Sequence, residues 1–140
     1  MNIDSIQNGI VIDHIRAGRG MKLYELLGLS SLDAPVAIMM NVSSHKLGRK
    51  DIIKIDAEIP INFDVIGYVD PGATVNVIRG GELAEKKRIA LPERLVNVIR
   101  CRNPRCISVC EQELDQVFCL TDRETKEYRC LYCETKAAVL

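Results

Sequence analysis

Along 9–15, GIVIDHI alternates in a two-residue rhythm, with Val11, Asp13 and Ile15 on one face of a strand and Ile10, Ile12 and His14 on the other. The period then changes. In GMKLYELLGL (20–29), Leu23, Leu26 and Leu27 recur at helical spacing and Gly28 is a natural stop. PVAIMMNV (35–42) is almost wholly apolar, the pattern of a strand buried on both faces, and SSHKLGRK (43–50) reads as a polar turn. DIIKIDAEI (51–59) predicts another strand, with Ile53 and Ile55 opposite Ile52 and Lys54. NFDVIGYV (62–69) predicts a short helix ended by Asp70-Pro71-Gly72, and 73–90 a hairpin turning at Gly80-Gly81.

Strand, helix, two strands, helix, strand and an extra strand make an α+β fold. The βαββαβ order is that of a ferredoxin-like sandwich, with helices on one face of an antiparallel sheet. Pro92 marks a candidate boundary, dividing the chain into 1–92 and 93–140. Leu95, Val96, Val98 and Ile99 are too apolar for a loose linker, so 91–100 is expected to be a short connection that packs.

Beyond residue 100 large hydrophobes thin out, and a segment this short needs a staple. Cys101-x4-Cys106 and Cys130-x2-Cys133 supply one: two close pairs separated by a loop let four thiolates converge on a tetrahedral ion, the geometry zinc favours. With every ligand from protein, such a site is structural, and the second half becomes a small all-β zinc-ribbon-like domain. Buried thiols, disulfides and a nucleophilic cysteine are the other readings. Disulfides suit secreted chains, and MNIDSIQNGI has no signal-peptide pattern, so a cytoplasmic chain with reduced thiols is expected. A nucleophile wants a basic partner, whereas the two histidines stand at 14 and 45. Of the remaining cysteines, Cys119 lies in the apolar run QVFCL and is expected in the core, and Cys110 falls past the first pair.

Charge narrows the partners. The chain has 19 basic and 19 acidic residues; a cut near 95 leaves 12 of each before it and 7 of each after. Neither half carries the basic field of a nucleic-acid coat, and aromatics are only 4%. A stand-alone zinc-ribbon module for nucleic acid is therefore the secondary reading, and no nucleic acid or membrane partner is expected. No Walker loop, GxSxG or HExxH occurs, so no catalytic residue is assigned. Asp13 and His14, as strand neighbours, are expected in two environments rather than as a pair. Lys50, Ile52 and Lys54 share a strand face, with roughly 13 Å between the two lysines, and Lys86 lies on the last strand. These lysines mark either a solvated sheet surface or a site for an extended anion such as a polyphosphate.

VIDHI (11–15), GRKDIIKI (48–55), ATVNVI (73–78), LPERLVNV (91–98) and the two cysteine pairs, with Ile107-Ser108 and Tyr132 beside them, resemble the regulatory chains of aspartate carbamoyltransferase over essentially the whole sequence. The resemblance implies a non-catalytic chain for the first committed step of pyrimidine biosynthesis. Its N-terminal domain would bind nucleoside triphosphates (inhibitory CTP, activating ATP, sometimes UTP with Mg2+) and pair as a homodimer. Its C-terminal zinc domain would dock on the catalytic chain. Carried over by position, the nucleotide site comprises Ile3, Asp4, Ser5, Ile6, Val11, Asp13, His14, Lys50, Ile52, Lys54, Asn76, Ile78, Leu83 and Lys86. The zinc ligands are Cys101, Cys106, Cys130 and Cys133, and Asn103, Arg105, Tyr132 and Glu134 face the catalytic chain. Gly81 stands where the family can carry a tyrosine, Glu85 adds a charge beside Lys86, and Arg105 and Leu131 replace polar residues.

Overall fold

The structure, a computed structural model, describes residues 6–138. It divides into two compact units, Met1–Ala90 and Leu91–Leu140. In the first unit, β1 (Gly9–Arg16), β2 (Val36–Ser44), β3 (Gly48–Ile55), β4 (Thr74–Arg79) and β5 (Glu82–Arg88) form one sheet in the order β2-β3-β1-β4-β5. Every adjacent pair is antiparallel. α1 (Gly20–Leu26) packs on α2 (Phe63–Val69) and against β2 and β3. This is the expected ferredoxin-like wiring with β5 added at one edge.

The covered face carries Ile10, Ile12, Ile53, Ile55, Val75 and Val77, all buried and joined by Leu23, Val65, Ile66 and Val69 from the helices. Buried carboxylates tie off the chain ends beneath it. Asp51 Oδ2 accepts from the amides of Gly18 (3.1 Å) and Gly20 (2.9 Å), satisfying free amides at the buried start of α1, and Asp70 Oδ2 accepts from the Arg16 amide at 2.6 Å. Gly28 ends the α1 region at φ 68°, and Gly80 and Gly81 turn the β4–β5 hairpin at φ 62° and 78°, the left-handed pair that a tight hairpin needs.

Three expectations shift here. β2 is an edge strand, and none of its residues is fully buried, because its apolar run has a neighbour on one side only. The strand predicted from Asp51 begins at Gly48, so the polar turn shrinks to the residues around His45–Leu47. And Ile15 is fully buried with Ile10 and Ile12, not on the face of Val11 and Asp13. A register shift between Ile12 and Ile15, with His14 at φ 58°, inserts one residue into β1 and reverses the alternation.

In the second unit β6 (Arg94–Val96), β7 (Val117–Asp122) and β8 (Glu127–Cys130) form a three-stranded sheet in that order, with a one-turn helix α3 (Ile107–Cys110) after the first cysteine pair. The supposed connection at 91–100 is thus partly a strand of this sheet. Leu95 is completely buried opposite Phe118, which in turn pairs with Cys130, and the buried Tyr128 hydroxyl donates to the Pro92 carbonyl. Cys119 departs from the core reading: it is half-buried, facing away from Phe118. Among the described residues no helix is long and apolar enough to cross a membrane.

Candidate metal centre and anion-binding face

The four predicted cysteines converge. Their sulfur atoms all lie within 4.8 Å of one another, and all six cysteines of the chain are free of disulfides. Cys101 and Cys133 sulfurs are 3.5 Å apart, and those of Cys106 and Cys130 3.7 Å. Metal–sulfur bonds of ~2.3 Å in a regular tetrahedron require sulfur separations of ~3.8 Å, so the cluster has the size of a zinc thiolate site. Cys110 is exposed, and Cys119 lies on the sheet, so neither belongs to the cluster.

Local structure sets each sulfur. Cys106 occupies the N-cap of α3, and its carbonyl accepts from the Val109 and Cys110 amides. Cys130 ends β8, where its amide donates to the Thr135 carbonyl and its carbonyl accepts from Glu134, whose φ of 64° turns the chain back. Gln116 joins the first pair to β7: its Oε1 accepts from the Cys101 amide (2.7 Å) and its Nε2 donates to the Ser108 carbonyl (2.8 Å). Burial drives the Cys101 thiol up to about 12, whereas the Thr135 hydroxyl and amide pull Cys133 down to about 6. Four sulfurs this close cannot all carry charge without a cation, and a divalent metal supplies the compensation. Gln116 and Thr135 escaped the sequence reading, and Ser108 entered it only as part of the resemblance with no role at the cluster, although both hydroxyls stand two residues after a cysteine.

The sheet face away from the helices gathers most of the other predicted residues. Register places Lys54 of β3, Val11 of β1, Asn76 of β4 and Lys86 of β5 in one cross-strand row. At ~4.8 Å per strand, the two lysines stand about 14 Å apart. Asn76 Oδ1 is buried in the middle of that row and has no partner among the described residues. Ile52 shares a strand face with Lys54, and Ile78 pairs with Leu83 on the side of Asn76. Ile6 is buried and Ile3, Asp4 and Ser5 lie outside the described residues.

Asp13 and His14 do not occupy separate environments. The bulge turns the His14 ring back, so that Nδ1 lies 3.1 Å from Oγ1 of Thr74, the cross-strand partner of Asp13. Lys50 forms an ion pair with Asp13 at 2.9 Å. Burial opposes the Asp13 charge, but the Lys50 bond, the His14 amide and the nearby positive charge outweigh it and hold the carboxyl below its usual range. Lys50 is thus committed to a carboxylate. Glu85 pairs with Val77, on the helix side of the sheet, and lies 3.9 Å from Lys87 rather than crowding Lys86. Gly81 donates its amide to the Gln7 carbonyl, and a Cβ there would meet the Gln7 side chain at 3.1 Å.

Similarity to known proteins agrees with both halves. Residues 1–90 match the family model of the aspartate carbamoyltransferase regulatory chain, allosteric domain, and residues 93–138 that of its metal binding domain. Aspartate carbamoyltransferase regulatory chains of Clostridium botulinum strain Hall and Bifidobacterium longum are 48% identical over 134 residues and 47% identical over 137. These alignments cover 96% and 98% of this chain and 92% and 99% of the relatives. That of Clostridium acetobutylicum is 43% identical over 96% of this chain and 92% of its own length. With both of its units matched in order, the chain belongs to the family of aspartate carbamoyltransferase regulatory chains.

Proposed function

We propose that this regulatory chain binds nucleoside triphosphates on the open face of its five-stranded sheet and conveys their effect to the catalytic chains of aspartate carbamoyltransferase. The row Lys54–Val11–Asn76–Lys86 carries this reading. It sets two ammonium groups at the span of an extended anion, around an apolar residue and a buried acceptor that has no donor among the described residues. CTP as inhibitor and ATP as activator, with UTP and Mg2+ reinforcing CTP, are the ligands the family implies. Lys54 and Lys86 would hold phosphate; Lys50 would act through Asp13.

Residues 1–92 would be the allosteric domain and 93–140 the docking domain. The half-exposed apolar edge strand β2 offers an unpaired backbone for a second regulatory chain. Cys101, Cys106, Cys130 and Cys133 would hold one zinc ion, which closes the two loops into a rigid unit. Beside those ligands Ile107 (55% exposed), Leu131 (46%) and Tyr132 (38%) present an apolar face suited to the catalytic chain. Arg105 and Glu134 are exposed and free to meet it; Asn103 is half-buried and accepts from the Arg105 amide through Oδ1. Thiols kept as metal ligands suit the reducing cytoplasm.

Aspartate saturation curves of the cognate catalytic chain, with and without this chain and with CTP or ATP, test the proposal. Nucleotide should move the curve only when the regulatory chain is present, and Lys54→Ala should raise the nucleotide concentration required about tenfold. Curves that ignore nucleotide in the wild-type complex would refute the effector site. By linkage, aspartate must alter nucleotide affinity by the same factor as nucleotide alters aspartate affinity.

A further inference from the structure

Each cysteine pair is followed by the same short pattern. The second cysteine of the first pair begins Cys106-Ile-Ser108, and that of the second pair begins Cys133-Glu-Thr135. In both, the hydroxyl folds back on the sulfur two residues earlier: Ser108 Oγ lies 3.0 Å from Cys106 Sγ, and Thr135 Oγ1 lies 3.1 Å from Cys133 Sγ. The two loops differ in conformation, one opening a helical turn and the other reversing after a strand. They nevertheless deliver a hydroxyl to the equivalent ligand.

We infer that Ser108 and Thr135 are paired outer-sphere residues of the metal centre, each donating a hydrogen bond to one ligand sulfur. The inference rests on the reading of the four cysteines as a zinc site. A metal-bound sulfur has no proton, so in the loaded site these contacts can run only from hydroxyl to thiolate. Four thiolates and a divalent ion leave a net charge of two minus. A hydroxyl donor on one sulfur of each pair spreads that charge, lowers the electron density on the sulfur and shields it from electrophiles. Ser108 is placed for this and little else: it is only 3% exposed, and its carbonyl is held by Gln116 Nε2, which fixes the loop that aims the hydroxyl. Gln116 also accepts the Cys101 amide, so the strut that positions one ligand also positions the donor to another.

The test uses the full-length chain with Ser108→Ala, Thr135→Val and, as the variant that keeps a hydroxyl, Thr135→Ser. Three quantities are measured: zinc content, zinc affinity by competition with a chromophoric chelator, and the thiolate-to-metal charge-transfer band after cobalt(II) substitution. The wild type should hold one zinc per chain. Ser108→Ala and Thr135→Val should each bind zinc about tenfold more weakly. Their cobalt bands should move to lower energy, because a sulfur without its donor is more electron-rich, and Thr135→Ser should restore both values. A merely structural hydroxyl would leave the band energy in place. Wild-type zinc content with unshifted bands and unchanged affinity in both alanine and valine variants would overturn the inference while leaving the zinc site intact. A wild-type chain that takes up no metal would overturn the zinc reading itself, and the inference with it.

Discussion

Asp13 shows how much one side chain can commit. Its carboxylate accepts from the His14 amide at 2.6 Å and pairs with Lys50 at 2.9 Å, with only 20% and 16% of the two side chains exposed. Because the folded carboxyl sits below its usual range, the pair stabilises the fold above the ordinary carboxylate titration near ~3.9. That contribution is lost as pH falls through the lower folded value. Asp13→Asn should therefore lower stability by about 1–2 kcal/mol near neutral pH, measured by urea denaturation, and the gap to wild type should close under strongly acidic conditions. A gap that persisted at the acid end would assign the loss to packing instead. The same pair also explains why counting lysines overstates the positive charge of the sheet face: of the three singled out, Lys50 is already neutralised.

At the scale of elements, β1 and β6 carry the lessons. One inserted residue in β1 moves Ile15 into the core and brings His14 beside Thr74, so a strand that reads as a simple alternation supplies two adjacent polar groups to one site. β6 is three residues long, yet its central Leu95 is fully buried against Phe118 in a unit with few other fully buried apolar side chains. Leu95→Ala should destabilise the second unit by about 2–5 kcal/mol, seen as metal release at lower urea, with the first unit melting as in the wild type. Retention of metal to the wild-type urea concentration would return the 91–100 segment to the status of a connector.

For the molecule as a whole, the two units depend on different sources of stability. The first has a two-layer core of strand and helix side chains, whereas the second gathers a few buried side chains and four sulfurs around a small sheet. Stripping the metal with a chelator should therefore abolish hydrogen-exchange protection in β6–β8 and leave β1–β5 protected. Equal loss in both units, or none in the second, would contradict a metal-dependent fold confined to the C-terminal half.

Much of this was legible from the chain. Period-two and helical spacings around Ile10–Ile12, Leu23 and Ile53–Ile55 determined the order of elements, since side-chain periodicity follows directly from backbone geometry. The four-cysteine cluster was equally readable: paired cysteines at short spacing carry a chemical constraint within a few residues of chain. Tertiary structure alone decided which apolar strand became the exposed edge, as β2 did, and which way the chain faces after the bulge at His14. It alone decided that Lys86 rather than Glu85 shares the face of Asn76, left Cys119 outside the core and brought the hydroxyls of Ser108 and Thr135 onto sulfur. Each of these depends on pairing register and loop closure between residues distant in sequence or on backbone turns that periodicity does not encode, so the local pattern could not contain them.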